Sequence, residues 1–280
     1  MQSNSIPNTT NYLNFISSTL LTAGQIANDN FGKVSGVTKQ GDNNQVLTQT
    51  DIAIGEFIVS QIKANFPEHN VIDEEAGVID NHHNFTWVVD PIDGTSNFAA
   101  GLPTYGVMIG LLDGATPIAG GIMLPAFNQL FMAQKGLGAT CNGEPIRVSD
   151  AVNSLATLVA YGIDGHQEDP HRTELEAQTL GKIILNIRNL RTTNSAYDMA
   201  HVCDGKYAAY LNQTTKIWDN VALQPIAEEA GGIVTDFWGK PMDYSNPLSK
   251  ADQNFTIFAA APAIHAQLLG VINQNEKIEG

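Results

Sequence analysis

Cysteine, basic residues and long apolar runs are all scarce in this chain. Among 280 residues there are two cysteines, Cys141 and Cys203, in no metal-like spacing. That excludes a disulfide framework and makes reduced thiols in a cytoplasm the expectation. Lysine and arginine number 14 against 29 aspartates and glutamates, a formal charge of −15 with no basic stretch to offset it. Nucleic acid and anionic membrane are thereby excluded as the main partner. No run approaches the ~18 apolar residues of a membrane span, and MQSNSIPNTTNYLNF lacks the basic start and apolar core of a signal peptide. What remains is 43% hydrophobic and 15% charged, the balance of a well-buried globular protein. The length allows one large layered domain or two fused halves.

The most informative stretch is Trp87-Val-Val-Asp90-Pro91-Ile92-Asp93-Gly94-Thr95-Ser96-Asn97-Phe98. Trp87 to Val89 suit a buried strand. Pro91 can neither donate to a ladder nor leave residue 90 helical, which predicts a turn over Asp90 to Asp93. Gly94 permits close backbone approach to a ligand, and Thr95-Ser96 read as the first turn of a helix, whose free N–H groups attract phosphate. Carboxylates beside a phosphate cradle repel the phosphate unless cations stand between them, so the arrangement implies a hard divalent metal such as Mg²⁺. A turn with a helix cap is the bland alternative for Asp93-Gly94-Thr95. Haloacid-dehalogenase-type phosphatases also carry Asp-Gly-Thr, with a nucleophilic Asp two residues earlier; Pro91 stands there, which excludes aspartyl-phosphate chemistry.

Residues 1 to 9 are polar and read as frayed, and Leu13, Ile16, Leu20, Ala23 and Ala27 then recur at helical spacing. Residues 32–45 read as a loop or loose hairpin containing Lys39. A second helix opens near Asp51, whose bland role is to cap it. Val71-Ile72-Asp73-Glu74-Glu75 is a short strand running into three acids, either a solvated turn or a site relieved by cations. Three apolar runs between residues 106 and 133 read as antiparallel strands, and Asn142-Gly143 as a hairpin turn. A boundary near residue 150 divides a half spanning 10–150 from a half spanning 151–272, within one catalytic domain, 1–280. Gly162 to His171 reads as a surface loop, with a substrate lid or accessory metal site as the alternative. Arg191 to Ala196 is a strand-to-helix transition. Trp218-Asp219 starts an apolar helix that ends at Gly231 or Gly232, with Pro225 in its middle, where it costs up to ~3 kcal/mol unless the helix bends.

These stretches together resemble the inositol monophosphatase family, lithium-sensitive, magnesium-dependent phosphomonoesterases that use no covalent intermediate. Asp90-Pro-Ile-Asp-Gly-Thr95 is similar to the family's first signature. Trp218-Asp219 followed by Glu229-Ala-Gly-Gly232 is similar to its second, and Glu74-Glu75 match its Gly-Glu-Glu, with Asp73 in place of the Gly. The resemblance covers roughly residues 10 to 272. It implies an α/β (α+β) fold, a layered αβαβα sandwich with helices between two mostly antiparallel sheets, and a homodimer.

By the same resemblance Glu74, Asp90 and the Ile92 carbonyl hold a first Mg²⁺, and Asp90, Asp93 and Asp219 a second, with a third ion near Glu74 in some members. Thr95, bonded to Asp51, positions the attacking water. The Gly94 and Thr95 amides bind phosphate, and Glu75 is a supporting acid or base. Asn194, Ser195 and Ala196 line the substrate pocket where the family has Gly-Thr-Ala or Gly-Ser-Ala, so Asn194 narrows the pocket or adds an amide. Asn212 stands where inositol-specific relatives have a Glu. The implied substrate is a small phosphorylated metabolite: inositol monophosphate or a related polyol or sugar phosphate, or alternatively histidinol phosphate, fructose 1,6-bisphosphate or a 3′-phosphonucleotide. A non-catalytic regulatory protein on the same fold is the reading from another class.

Overall fold

The computed structural model describes residues 11–39 and 46–273. The start read as frayed and residues 40–45 of the loop around Lys39 lie outside them. The helices among the described residues are α1 (Leu13–Asn30), α2 (Gln49–Asn65), α3 (Thr95–Ala99), α4 (Pro170–Ile184), α5 (Ala196–Cys203), α6 (Ile217–Glu229) and α7 (Pro262–Ile272). They alternate with two main sheets in five layers. α1 and α2 cover the outer face of an eight-stranded sheet, where Ile16, Leu20, Ala23, Ile54 and Ile58 bury against Trp87, Val89, Val107 and Ile109. α5 and α6 fill the middle, packing Met199, Ala200, Leu223 and Ile226 between Met108, Ile122 and Phe131 on one side and Tyr210, Ile257 and Ala259 on the other. α4 and α7 close the far face of a five-stranded sheet, with Ile183, Ile264 and Leu268 against Val159, Tyr161 and Phe258.

The eight strands come from residues 70–145 and the five from residues 158–260. Since α5 and α6 pack on both sheets, the two halves share one core. The contact of α6 with the large sheet depends on Gly110 and Gly120, paired across adjacent strands. A Cβ on Gly110 would lie 2.7 Å from the backbone at Val221 and Ala222, and one on Gly120 would lie 2.2 Å from the Ala222 carbonyl oxygen. Backbone therefore meets backbone across this layer, and any side chain would push helix from sheet.

The large sheet is antiparallel except where Asn70–Asp73 runs parallel to Phe85–Asp93. The small sheet departs from the mostly antiparallel expectation: Leu158–Gly162 is parallel to both Asn189–Arg191 and Ala209–Thr215, while Phe255–Ala260 is antiparallel to both its neighbours. α4 and α5 supply the crossovers that parallel pairs require. One local expectation also changes. No turn occurs at Asp90–Asp93; the strand runs on through Pro91 to Asp93 because its pairing with Gly106–Asp113 shifts register between Asp90 and Asp93, where Pro91 owes no ladder bond. α6 carries the buried Pro225 in its middle, as expected from the sequence.

Asn142 and Gly143 both take positive φ, 52° and 84°, and join two antiparallel strands, as expected of this dipeptide.

Candidate active site

The chain turns at Gly94, with φ 83°. A Cβ there would lie 2.7 Å from the Ser195 Cβ and 3.1 Å from the Thr104 carbonyl oxygen, so the position requires glycine on both conformational and steric grounds. The turn leaves Asp90 and Asp93 at the end of a buried strand and starts α3 at Thr95. Facing them, Asp219 stands in the first turn of α6, where the Lys216 backbone N–H donates to its Oδ2 at 2.7 Å. Carboxylate oxygens of Asp90, Asp93 and Asp219 lie within 4.8 Å of one another. They open, with Glu74 and the Ile92 residue, into a cleft of about 770 Å³.

Such crowding raises every one of these carboxyls. Burial, then the charges of Glu74 and Asp93, hold Asp90 well above the ordinary carboxylate range. Burial and Asp219 do the same to Asp93, against the pull of the Ala196 N–H, which donates to it in a short hydrogen bond. Asp219 is pushed by burial to about 6 and Glu74 to about 7. One oxygen of Asp90, Oδ1, is buried with no hydrogen-bond partner. An all-oxygen donor set of this kind, with no His or Cys in it, fits a hard cation of the Mg²⁺ class rather than zinc or copper.

Asp51 serves two structures at once. Its Oδ2 accepts the Thr48 backbone N–H at 2.9 Å and the Thr48 hydroxyl in a short hydrogen bond, closing the capping box of α2. Its Oδ1 accepts the Thr95 hydroxyl at 3.0 Å. The capping role of Asp51 is thus met by one oxygen, and the other faces Thr95. The Thr95 hydroxyl also stands 2.7 Å from the Ile92 carbonyl, so a single hydrogen serves two acceptors. Burial raises the Asp51 carboxyl above its ordinary value, against the pull of the Thr48 and Thr95 hydrogen bonds.

Around this floor the other sequence-nominated residues take up distinct places. Lys39 Nζ forms ion pairs with Glu74 at 2.9 Å and Glu75 at 2.6 Å, placing an ammonium at the rim. Asp73 does not join the cleft: its Oδ1 accepts the backbone N–H groups of Glu75 and Ala76, at 2.9 and 2.6 Å, and so shapes the turn that presents the glutamates. Ser195 caps α5 and Ala196 backs Asp93, both behind the cleft lining. Asn194 adopts φ 52°, a left-handed conformation that asparagine tolerates. Its amide nitrogen donates to Asp164 at 2.9 Å. Asn212 lines the cleft with its own groups committed, its Nδ2 donating to the Tyr210 hydroxyl at 3.0 Å and its Oδ1 accepting the Thr214 N–H at 2.7 Å.

The loop at 162–171 divides. His171 is exposed and paired with Glu174 on α4, whereas Asp164, His166 and Glu168 line the cleft, so that part is wall rather than detached surface. His166 is buried, its Nε2 3.3 Å from the Thr214 hydroxyl. Asp198 escaped sequence reasoning altogether: fully buried on α5, it accepts the Thr193 and Asn194 N–H groups at 2.7 and 3.1 Å and holds the loop that carries Asn194. Its one available signal was an acid three residues after the Ser195 cap.

With this geometry in view, similarity to known proteins is decisive. The profile of the inositol monophosphatase family matches residues 8–276. The chain belongs to that family. It is 31% identical over 254 residues to a fructose-1,6-bisphosphatase/inositol-1-monophosphatase of Aquifex aeolicus, covering 89% of this chain and 95% of the relative. Inositol monophosphatase 1 of Solanum lycopersicum is 33% identical, over 80% of this chain and 84% of its own. A protein named Nus factor SuhB from Vibrio cholerae is also 33% identical, over 85% and 86%. Among solved structures, an IMPase of Thermotoga maritima superposes with a TM-score of 0.82 at 28% identity, over 96% of this chain and 99% of that one. As a family member the protein is a phosphoric monoester hydrolase on the αβαβα fold. No helix among the described residues is long and apolar enough to cross a membrane.

Proposed function

We propose that the protein hydrolyses a small phosphate monoester in a Mg²⁺-dependent reaction, with inositol monophosphate or a related polyol or sugar phosphate as the first class of substrate. The observation that carries this reading is the meeting of Asp90, Asp93 and Asp219 beside the Gly94-Thr95 turn. Glu74, Asp90 and the Ile92 carbonyl would hold one ion, and Asp90, Asp93 and Asp219 another, and Glu74 would also face a third where one binds. Bound Mg²⁺ supplies Lewis acidity toward water and neutralises charge on the phosphoryl and leaving oxygens.

The chain's own residues do the rest. Thr95, donating to Asp51, keeps its lone pairs for a hydrogen bond from the attacking water and fixes where that water stands. A proton lost from the water passes by way of Thr95 Oγ1 to Asp51, whose buried carboxyl is raised toward the working range. The Gly94 and Thr95 amides hold phosphate oxygens. Glu75, paired with Lys39, stabilises the turn that presents Glu74 and is a supporting acid or base. The ester oxygen leaves on the side of Asn194 and Asn212, with Ser195 and Ala196 behind them. We place the protein in a reducing, cytoplasmic compartment, since Cys141 and Cys203 are both free, and assign it a homodimeric state on the strength of the family.

A regulatory role on the same fold is the second reading, favoured by the relatives named Nus factor SuhB. The complete carboxylate set favours hydrolysis. Phosphate release from inositol 1-phosphate, glycerol 2-phosphate and fructose 1,6-bisphosphate should require Mg²⁺ and stop in excess chelator. Equal turnover with chelator would refute the metal; no turnover of any ester with Mg²⁺ or Mn²⁺ would favour the regulatory reading.

A further inference from the structure

A second cavity, of about 350 Å³, opens beside α4 and shares no lining residue with the catalytic cleft. Its size is at the lower end of the range for small-molecule sites. Arg172, Leu175, Glu176 and Thr179 recur at i, i+3, i+4 and i+7, so α4 turns one face to it. Gln213, from the strand Ala209–Thr215, and Trp238 add to the lining. Leu175 and Trp238 are exposed apolar side chains, and the Trp238 ring makes a T-shaped contact with Phe237. Charge and apolar surface therefore meet in one small space.

Glu176 is 3% exposed, and a carboxyl so deep is destabilising unless both its oxygens find partners. Oε1 accepts the Tyr161 hydroxyl at 3.1 Å. Oε2 is buried with no hydrogen-bond partner among the described residues. One helical turn earlier, Arg172 donates from Nη2 to the Gln213 carbonyl at 3.2 Å and to the Thr214 hydroxyl at 3.5 Å. Its Nε and Nη1 have no such partner among the described residues, and no hydrogen bond or ion pair joins Arg172 to Glu176. Support of the neighbouring strands accounts for Oε1 and Nη2. It leaves an acceptor oxygen on one charge and donors on the other uncommitted, both on the face of α4 that lines the cavity.

We propose that this cavity is a second ligand site, separate from the catalytic cleft, and that it takes a free α-amino acid with an aromatic or large aliphatic side chain. The ammonium donates to Glu176 Oε2, the carboxylate accepts from the Arg172 guanidinium, and the side chain lies against Leu175 and Trp238. Opposite charges at i and i+4 of one helix suit a zwitterion, whose own charges sit on adjacent carbons. A plain amine would bring a cation to Arg172 with no carboxylate to meet it, and a plain carboxylic acid would bring a like charge to Glu176. Each charge-assisted contact is worth about tenfold to a hundredfold in affinity. The site goes beyond the phosphatase reading and does not depend on it.

Titration calorimetry of the full chain with L-phenylalanine and L-leucine tests this, with phenethylamine and 3-phenylpropionate as the arms that lack the carboxylate and the ammonium. At least one of the two amino acids should bind at a single site per chain, and each truncated analogue should bind tenfold more weakly or worse. Glu176→Gln and Arg172→Met should each weaken the amino acid by tenfold or more, and Trp238→Ala by a smaller factor. Circular dichroism establishes that the variants fold; if a charge variant does not, the analogue series on the parent chain decides together with Trp238→Ala. Asp90→Asn, altered in the catalytic cleft, should bind the amino acid as the parent does. No saturable binding of either amino acid, equal affinity for phenethylamine, or undiminished binding by folded Glu176→Gln overturns the assignment. Loss of binding in Asp90→Asn overturns it too, by moving the ligand to the catalytic cleft. Failure of the parent to release phosphate from any ester would sink the phosphatase reading and leave this site standing.

Discussion

The floor of the cleft takes Asp90, Ile92, Asp93, Gly94 and Thr95 from one unbroken stretch, with Asp219 at the start of α6. The wall facing it is assembled from residues 164, 166, 194, 212 and 214, carried by a loop, the approach to α5 and a strand of the small sheet. Charge separates the two sides as well. Floor carboxylates are raised chiefly by burial and by one another's charge, a state that divalent cations relieve, whereas in the wall Asn194 and Asn212 bond one another, the Tyr210 hydroxyl and the Asp164 carboxylate. On the function proposed above, a reaction needing fixed geometry at phosphorus would draw on the short, stiff stretch of the floor, and recognition of the alcohol on the long-range assembly of the wall. Changes on the floor should therefore abolish chemistry, and changes on the wall should redirect it.

The largest expected effect is from Asp90→Asn. Asp90 is shared by both proposed metal sites, and removing its charge should lower kcat by a thousandfold or more, about 4 kcal/mol of barrier. Steady-state kinetics over a Mg²⁺ titration checks it, and kinetics like those of the parent would remove Asp90 from the ligand set. Thr95→Ala comes next, at about a hundredfold in kcat, because it removes the hydroxyl between the water and Asp51. Mg²⁺ affinity measured by calorimetry should change little. A loss confined to metal binding would move Thr95 from water positioning to ion coordination.

Sequence carried more of the floor than of the wall for physical reasons. Asp51 and Asp219 sit in the first turns of helices and Asp90 at a strand end, places that local composition marks. Gly94 is marked too, since its φ and its contact with Ser195 admit no other residue. Pro91 misled in one respect: the turn expected there is absent because a register shift absorbs the missing donor, and register is a property of two strands. Thr214 was illegible as a cleft residue because its partner, His166, is on another segment, and the loop at 162–171 was legible only as one alternative because the bond of Asp164 to Asn194 spans 30 residues. The parallel pairs of the small sheet were hidden likewise, since nothing within Leu158–Gly162 states which strands flank it.

Removing metal should expose the strain on the floor as a pH dependence. Glu74 is raised from 4.5 to about 7 and Asp219 from 3.8 to about 6, both chiefly by burial. A folded-state pKa above the unfolded value favours the protonated fold. The stabilisation is complete below about pH 4 and lost as pH climbs through 6 and 7. Chelated protein should accordingly lose on the order of 2 to 3 kcal/mol between pH 5 and pH 8, read as a falling Tm. Added Mg²⁺ should reverse the slope, because it binds the deprotonated ligands. A chelated protein whose Tm rises over that range would mean that the floor is already neutralised from within.

The smallest effect expected is at the rim, where Lys39 tests how far the floor extends. Its ammonium contacts both Glu74 and Glu75. Burial acts to lower its pKa, but the two carboxylates override that and raise it, so the charge is present throughout the working pH range. If Glu74 is also a metal ligand, Lys39 and Mg²⁺ compete for one carboxylate, and the ammonium weakens the ion nearest the rim. Lys39→Met keeps the apolar stem and removes the charge. The half-saturating Mg²⁺ concentration should then fall about threefold to tenfold, corresponding to roughly 1 kcal/mol, the usual worth of a partly exposed ion pair. The Asp90–Asp93–Asp219 ion should be unaffected, so a binding isotherm with two steps should shift in one step alone. A rise in the Mg²⁺ requirement would instead make Lys39 a holder of Glu74 in its binding orientation, and the rim would then belong to the floor.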